Sequence, residues 1–149
     1  MPDQNLVTLS PDEQAVLDDL SNRQAAMTAQ VITWSHINSG SHNREGLRAM
    51  RAELCRAFAQ LPGQVSEADL GPGVYVETNG EKRDIKYEPA VLVQVRPDAD
   101  IQIVFTGHYD TVFPKDSHFQ TTKMLEDDIL GGPGTADMKG GLLVMLEAL

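Results

Sequence analysis

The stretch Ile101-Gln-Ile-Val-Phe-Thr-Gly-His-Tyr-Asp110 carries the strongest indication of fold and function in this chain of 149 residues. Its first five residues are mostly β-branched or aromatic, which is typical of a buried strand. Residues 90–95 have the same character, and a turn signal, Arg96-Pro-Asp-Ala-Asp100, separates the two runs. We therefore expect both runs to be central strands of a sheet, with His108 and Asp110 just beyond the end of the second.

Ligands bind beyond the carboxyl ends of strands in open α/β sheets, because the connecting loops converge there. If extended backbone continues through residues 106–110, His108 and Asp110 project to the same side, since side chains alternate along a strand. A carboxylate beside an imidazole suits a metal ligand and the group that holds its other ring nitrogen. The residues alone leave a second interpretation open, in which His108 lies in a loop and Asp110 in a turn without a shared function.

A glycine-rich segment, Gly131-Gly-Pro-Gly-Thr-Ala-Asp-Met-Lys-Gly-Gly141, is the second candidate element. It is not a Walker A loop, because Lys139 precedes its glycine and no Ser or Thr follows. It is not a dinucleotide loop either, because the carboxylate of Asp137 would repel a pyrophosphate. Asp137 suits a divalent cation, since a carboxylate is a hard anionic ligand. The alternative is that Asp137 caps the helix that begins near Met138.

Two helices are predicted upstream of these elements. The first begins at Ser10-Pro-Asp-Glu13, where Ser10 is the N-cap and Glu13 completes a capping box. The second begins after Asn43, a good N-cap, and ends at Pro62-Gly63. The expected buried face of the first helix is Val16, Leu20, Met27, Val31 and Trp34, and that of the second is Leu47, Met50, Leu54, Cys55, Phe58 and Leu61.

The remaining patterns predict short strands. Residues 74–78 precede a turn at Asn79-Gly80, and residues 123–126 with 128–130 form a weaker hairpin before the glycine-rich loop and a final helix. The fold class we predict is α/β, with two N-terminal helices packed on a mixed, partly parallel sheet. The chain ends at Leu149 within an apolar helical pattern and without an exit signal, so we expect a truncated domain.

The composition limits the partners of the protein. Acidic residues outnumber basic ones 22 to 12 and give a net charge of −10, which repels nucleic acid phosphates and anionic lipids. The longest unbroken apolar stretch is residues 142–146, and no basic residue precedes Arg23, so we expect neither a membrane-spanning helix nor a secretion signal. The single cysteine, Cys55, cannot form an internal disulfide. These features predict a cytoplasmic protein with no nucleic acid and no membrane partner.

Taken together, residues 107–114 (Gly-His-Tyr-Asp-Thr-Val-Phe-Pro) and 132–141 resemble the two N-terminal metal motifs of the M20 zinc metallopeptidases. This family includes glutamate carboxypeptidases, acetylornithine deacetylases and succinyl-diaminopimelate desuccinylases. The Gly-Pro-Gly-x-Ala-Asp pattern is more similar to the carboxypeptidases, and Trp34-x-x-Ile-Asn-Ser-Gly-Ser41 extends the resemblance more weakly. The resemblance implies that residues 1–149 are the N-terminal part of a di-zinc catalytic domain, without the rest of that domain and without the lid domain.

Carried over position by position, the resemblance makes His108 a ligand of one zinc and Asp137 the carboxylate that bridges two zincs. It makes Asp110 the catalytic-site carboxylate that holds His108. It also implies a cis peptide bond between Asp137 and Met138. The family's Glu-Glu pair, further acidic ligand and late histidine have no counterpart here. The remaining histidines match no ligand position, and we expect surface or structural roles for them: His36, His42 and His118.

The activity that the resemblance implies for the intact protein is zinc-dependent hydrolysis of an amide bond in a small peptide or an N-acyl amino acid. Two Zn²⁺ ions per catalytic domain are implied, with Co²⁺ or Mn²⁺ as substitutes, and a homodimer is compatible with the family. The alternative is an inactive fragment or a non-catalytic interaction module that lacks the general base and the remaining ligands.

Overall fold

A computed structural model describes residues 8–126 and 128–149 of the chain. Within these ranges the fold consists of three helices and six short strands. Their order is α1 (Pro11–Ser35), α2 (Arg44–Phe58), β1 (Gln64–Ala68), β2 (Pro72–Val76), β3 (Lys82–Lys86), β4 (Ala90–Gln94), β5 (Lys123–Glu126), β6 (Ile129–Gly131) and α3 (Lys139–Ala148).

Helix α1 begins as the sequence predicts. The backbone N–H of Ser10 donates to the Glu13 carboxylate over 2.7 Å, and the Ser10 hydroxyl accepts from the backbone N–H of Glu13, so the capping box is complete. The predicted apolar face is buried only towards its end, because Trp34 is fully buried whereas Val16 is 60% exposed. The first turns of α1 therefore extend beyond the core.

Helix α2 contributes more buried apolar side chains than either of the other two helices. Asn43 caps it as predicted, by accepting a hydrogen bond from the backbone N–H of Gly46. The predicted buried face is confirmed except for Cys55 and Leu61, which are half-buried. Each fully buried side chain of this size stabilises the fold by about 1.5–3 kcal/mol relative to exposure. The core unites the end of α1 with α2 and α3, through Trp34, Met50, Leu54, Phe58, Leu142, Leu143 and Leu146.

The strands form three antiparallel pairs: β1 with β4, β2 with β3, and β5 with β6. Helix α2 packs on β1 and β4, so the predicted α/β arrangement with a helix on a sheet is confirmed. The mixed, partly parallel sheet is not formed, because in the described residues parallel pairing is limited to one isolated bridge, between Gly40 and Thr111. The hairpin of β5 and β6 and the turn at Gly80, with φ of 85°, occur where predicted, whereas β1 and β3 were not predicted.

The predicted central strand at residues 101–105 is wrong. The backbone there forms no ladder, and Ile101, Ile103 and Val104 are 74–81% exposed. A central strand needs hydrogen-bonding neighbours on both sides. Within residues 8–126 and 128–149 no strand lies beside this run, and β4 is paired with β1 instead.

None of the helices within residues 8–126 and 128–149 combines the length and apolar character needed to cross a bilayer.

Candidate metal centre

The two motifs singled out in the sequence meet at one histidine. His108 Nδ1 lies 3.0 Å from Asp110 Oδ1, and His108 Nε2 lies 2.8 Å from Asp137 Oδ1. The imidazole is thus placed between a carboxylate of its own motif and a carboxylate of the glycine-rich loop. The structure brings all three predicted site residues together.

The row of Asp110, His108 and Asp137 opens on one side to a cavity of about 230 Å³. The side chain of Asp137 is 80% exposed and that of His108 is 47% exposed. Phe113 and Phe119 also line the cavity, and their ring centroids lie 4.8 Å apart. The cavity therefore combines a polar ligand row with an apolar surface, as small-molecule sites commonly do.

Electrostatics in this row favour a positive charge on or beside His108. Partial burial lowers the pKa of His108, but the hydrogen bonds with Asp137 and Asp110 raise it by more, and the net pKa is above its ordinary value. Two carboxylates thus stabilise a proton on the imidazole. A divalent cation bound to Nε2 and Asp137 would replace that proton with a larger charge between the same groups.

The first motif is held in place by the residues that alternate with the site residues. Tyr109 donates from its hydroxyl to the carbonyl of Pro89 over 2.8 Å, and its own carbonyl accepts from the hydroxyl of Ser39 over 2.7 Å. The backbone N–H of Thr111, which is buried, donates to the carbonyl of Ser39 over 2.9 Å. Because side chains alternate along extended backbone, these contacts leave His108 and Asp110 facing the cavity.

The second motif is a tight loop closed by Lys139. The backbone N–H of Lys139 donates to the carbonyl of Gly134 over 2.8 Å, and Gly134 has φ of 76°, which favours glycine. The Lys139 ammonium is fully buried and donates to the carbonyls of Trp34 and Ile37, at 2.9 and 2.6 Å. Burial lowers the pKa of Lys139 to about 8, so it remains mostly protonated at neutral pH. This lysine joins the end of α1 to the loop that carries Asp137.

The alternative interpretation of Asp137 as a helix cap is wrong for α3. The N-cap of α3 is Met138, and no side chain donates to or accepts from the first turn as a cap. The peptide bond between Asp137 and Met138 is cis, as the family resemblance predicts. Because the Asp137 carboxylate makes no cap hydrogen bond to α3, it is available to His108.

His36 and His42 have contacts outside the row. His36 Nε2 is 3.1 Å from the hydroxyl of Thr122, and His42 packs edge-on against Tyr75. Over the ranges that the structure describes, no group of three or more His, Cys, Asp or Glu side chains converges on a point that could hold a metal ion. Asp127, which the sequence places in an acidic cluster with its neighbours, lies outside the described residues.

Sequence reasoning did not identify the residues that hold the two motifs. Ser39, Tyr109 and Lys139 act through backbone carbonyls, and such contacts leave no mark in a pattern of residue types. The sequence feature that could have indicated the role of Lys139 is its position within a glycine-rich turn, where a long side chain has room to reach another element. The position of Tyr109 between two polar residues was the corresponding signal in the first motif.

Comparison with known proteins agrees with the two motifs. Residues 104–149, which are 46 of the 149 residues and include both motifs, match the sequence model of Peptidase family M20/M25/M40. A search of curated proteins finds no match. The family match of residues 104–149, the last third of the chain, confirms the predicted M20 resemblance.

The fold is similar to that of a solved structure, human carnosine dipeptidase 1, with a TM-score of 0.72 and 24% sequence identity. The similarity covers 91% of this chain and 30% of that protein. The chain thus spans about a third of the length of that protein, and the likeness shows the fold.

Proposed function

We propose that this chain is the N-terminal part of the catalytic domain of an M20 metallopeptidase, and that the intact protein hydrolyses an amide bond in a small peptide or an N-acyl amino acid. The observation that carries the proposal is the position of the His108 imidazole between the carboxylates of Asp110 and Asp137, which come from two separate motifs. The match of residues 104–149 to the peptidase family supports the same activity.

The donor set fits a divalent metal ion. Zinc binds neutral imidazole nitrogen and carboxylate oxygen, and His108 Nε2 and the Asp137 carboxylate offer these two donors side by side. Asp137 is the residue we assign as the bridge between two zinc ions, and Co²⁺ or Mn²⁺ would accept the same donors. Two ligands fall short of the usual four, so the remaining ligands and the general base are provided elsewhere in the intact protein.

The residues of this chain have separate duties in the proposed reaction. Asp110 accepts the Nδ1–H of His108 and so leaves the Nε2 lone pair free to bind metal. Phe113 and Phe119 form an apolar wall against which part of the substrate can lie. A bound zinc ion supplies a Lewis acid and lowers the pKa of its water to about 7.

A non-catalytic interaction module is the second candidate function, and one observation favours it. Residues 101–105 expose an apolar run directly before the first motif, and such a run is suited to packing against another polypeptide. Metal binding distinguishes the two candidate functions, because an interaction module has no need of a metal ion.

A cytoplasmic location and a homodimeric intact protein remain predictions.

Calorimetric titration of Zn²⁺ into the purified chain tests the ligand assignment. We expect weak binding that is lost in His108→Ala and in Asp137→Ala, because two ligands do not complete a four-coordinate site. His118→Ala is the matched control and should bind like the wild type, since His118 lies outside the row. Two tight sites per chain, or equal binding by all four proteins, would contradict the assignment.

In the intact protein, replacing Asp110 and replacing Asp137 should affect turnover and metal content differently. Asp137→Ala should abolish activity together with metal content, because a bridging carboxylate serves both ions. Asp110→Ala should lower turnover by more than it lowers metal content, and losses of this type are about 10–100-fold. Metal analysis beside steady-state kinetics distinguishes the two, and equal metal retention in both variants would refute the role of Asp137.

A further inference from the structure

The segment Asn38-Ser-Gly-Ser41, which joins α1 to α2, lies directly alongside the first motif. The backbone N–H of Ser41 donates to the carbonyl of Thr111 over 3.0 Å, next to the bond from Thr111 to Ser39, and Gly40 pairs with Thr111 in parallel orientation. A Cβ at Gly40 would lie 2.4 Å from the carbonyl oxygen of Phe113. The glycine therefore permits the close approach that places Ser41 beside Asp110.

The Ser41 hydroxyl lies 2.6 Å from Asp110 Oδ2 and 3.2 Å from the carbonyl oxygen of Thr111. A hydroxyl has a single proton, and a distance of 2.6 Å is typical of donation to a charged carboxylate. The other oxygen, Asp110 Oδ1, lies 3.0 Å from His108 Nδ1. The two oxygens of Asp110 are thus divided between two partners, and this fixes the rotation of the carboxylate.

Rotation matters because Asp110 is exposed to solvent over 40% of its side chain. An exposed carboxylate without a second partner turns freely and shares its acceptor sites with water. Neutral His108 also has only one ring proton, for which acceptors compete from opposite sides of the ring. The carboxylate and the backbone carbonyl of Asp110 face Nδ1, at 3.0 and 3.1 Å, and the carboxylate of Asp137 faces Nε2. Whatever fixes Asp110 towards Nδ1 favours the tautomer whose Nε2 can bind a metal ion.

We propose that Ser41 is a positioning residue of the metal centre, which orients Asp110 so that His108 keeps its proton on Nδ1 and offers Nε2 to the metal. The inference rests on the proposed function for the metal itself. The proposal also gives a role to the segment Trp34–Ser41. This segment resembles the M20 family although it contains none of the proposed metal ligands.

The test compares Ser41→Ala with wild type and adds an isosteric pair, Ser41→Thr and Ser41→Val, which differ only in the hydroxyl. Ser21→Ala is the control for loss of a serine hydroxyl elsewhere, because Ser21 donates to the carbonyl of Leu17 within α1. Long-range ¹H–¹⁵N spectra of the metal-free protein, at a pH well above the His108 pKa, report the tautomer of His108. Titration with Zn²⁺ alone, followed on the same ring resonances, gives the affinity.

We expect Ser41→Ala and Ser41→Val to raise the population of the Nε2–H tautomer and to weaken Zn²⁺ binding by about threefold. This is a smaller loss than the 10–100-fold that is typical when a ligand's direct partner is removed. Ser41→Thr and Ser21→Ala should behave like the wild type. A merely structural role would change the unfolding temperature without changing the tautomer of the folded protein. If Ser41→Ala does not fold, the comparison of Thr with Val decides.

The proposal is overturned if the tautomer and the Zn²⁺ affinity of Ser41→Val equal those of Ser41→Thr. Failure of the proposed function gives a different result, in which the Zn²⁺ affinity of the wild type is unchanged in His108→Ala and Asp137→Ala. Binding that depends on those two residues but not on Ser41 refutes the positioning role alone.

Discussion

Two regions adjoin the motifs of the candidate metal centre, and one of them is buried whereas the other is exposed. We call Trp34, Ser35, Pro133 and Lys139 the buried junction; Trp34 and Lys139 are 0% exposed, and the Ser35 hydroxyl donates to the carbonyl of Pro133 over 2.7 Å. We call residues 101–105 the open run, in which Phe105, the most protected of the named apolar side chains, is still 52% exposed. Both regions contain large apolar side chains, and among the described residues those of the junction are covered whereas those of the open run are exposed.

The two regions also hold the site in different ways. The buried junction fixes the loop of Asp137 through a buried ammonium and a buried hydroxyl. The open run leads straight into His108, yet the first motif is held by its contacts with Ser39, Ser41 and Pro89 rather than by a sheet. The geometry of the site therefore does not require the strand that the sequence suggested.

The largest effect should come from the core residue of the junction. Trp34→Ala should lower the free energy of unfolding by about 3–5 kcal/mol, because a fully buried aromatic side chain is replaced by a cavity. Val104→Ala in the open run should change it by less than about 0.5 kcal/mol, since Val104 is 81% exposed. Urea unfolding of both variants measures the contrast. Comparable losses would show that the open run is buried in solution.

Lys139→Met should have the next largest effect, a loss of about 2 kcal/mol. The apolar stem remains, but the carbonyls of Trp34 and Ile37 lose their charged donor while still buried. Lys123→Met is the matched control, because Lys123 lies on exposed β5 and its loss should leave stability unchanged. Thermal unfolding distinguishes the two. If Lys139→Met is as stable as the wild type, the ammonium does not hold the junction.

A smaller, pH-dependent effect is expected at Glu88, which precedes Pro89, the residue whose carbonyl accepts from Tyr109 of the first motif. Glu88 is 8% exposed and bonds to Arg44, Arg48 and Arg51 of α2. Burial alone would raise the pKa of Glu88, but the guanidinium groups lower it by more, and the net pKa is below its ordinary value. The carboxylate therefore stabilises the fold above its unfolded-state pKa, and that contribution is lost as the pH falls through its folded-state pKa.

Glu88→Gln should accordingly cost about 1–2 kcal/mol at neutral pH. The difference from the wild type should begin to shrink as the pH falls below about 4.5, where the unfolded-state carboxyl takes up a proton. It should disappear below the lower folded-state pKa, where the carboxyl of the folded protein is protonated as well. Urea unfolding at neutral and acidic pH checks both statements. Glu45→Gln is the control, because Lys115 lowers the pKa of Glu45 in the same direction but the pair is exposed and screened by solvent, so its pH-dependent difference should be much smaller. A constant difference at every pH would contradict the assignment.

The helices and the pairing of His108 with Asp110 were predictable because their signals are local, whereas the place of Asp137 in the site was expected only from the family resemblance. Ser10 and Glu13 define a cap within four residues, and His108 and Asp110 need only the alternation of a short extended segment. The strand at residues 101–105 was not predictable, because pairing depends on a neighbour that can lie anywhere in the chain. Contacts to carbonyls from Tyr109 and Lys139 were missed for the same reason, since any residue can offer a carbonyl.

The smallest effect should come from Tyr109, which lies between the site residues His108 and Asp110. Tyr109→Phe keeps the ring that packs against the core and removes only the hydrogen bond to the carbonyl of Pro89, so we expect a loss of about 1 kcal/mol. Tyr75→Phe is the control, because the Tyr75 ring contacts His42 at the surface. If Tyr109→Phe equals the wild type in urea unfolding, the first motif is not held from the Pro89 side. If it costs as much as Lys139→Met, both motifs are held equally firmly, and the contrast between the junction and the open run does not extend to the site.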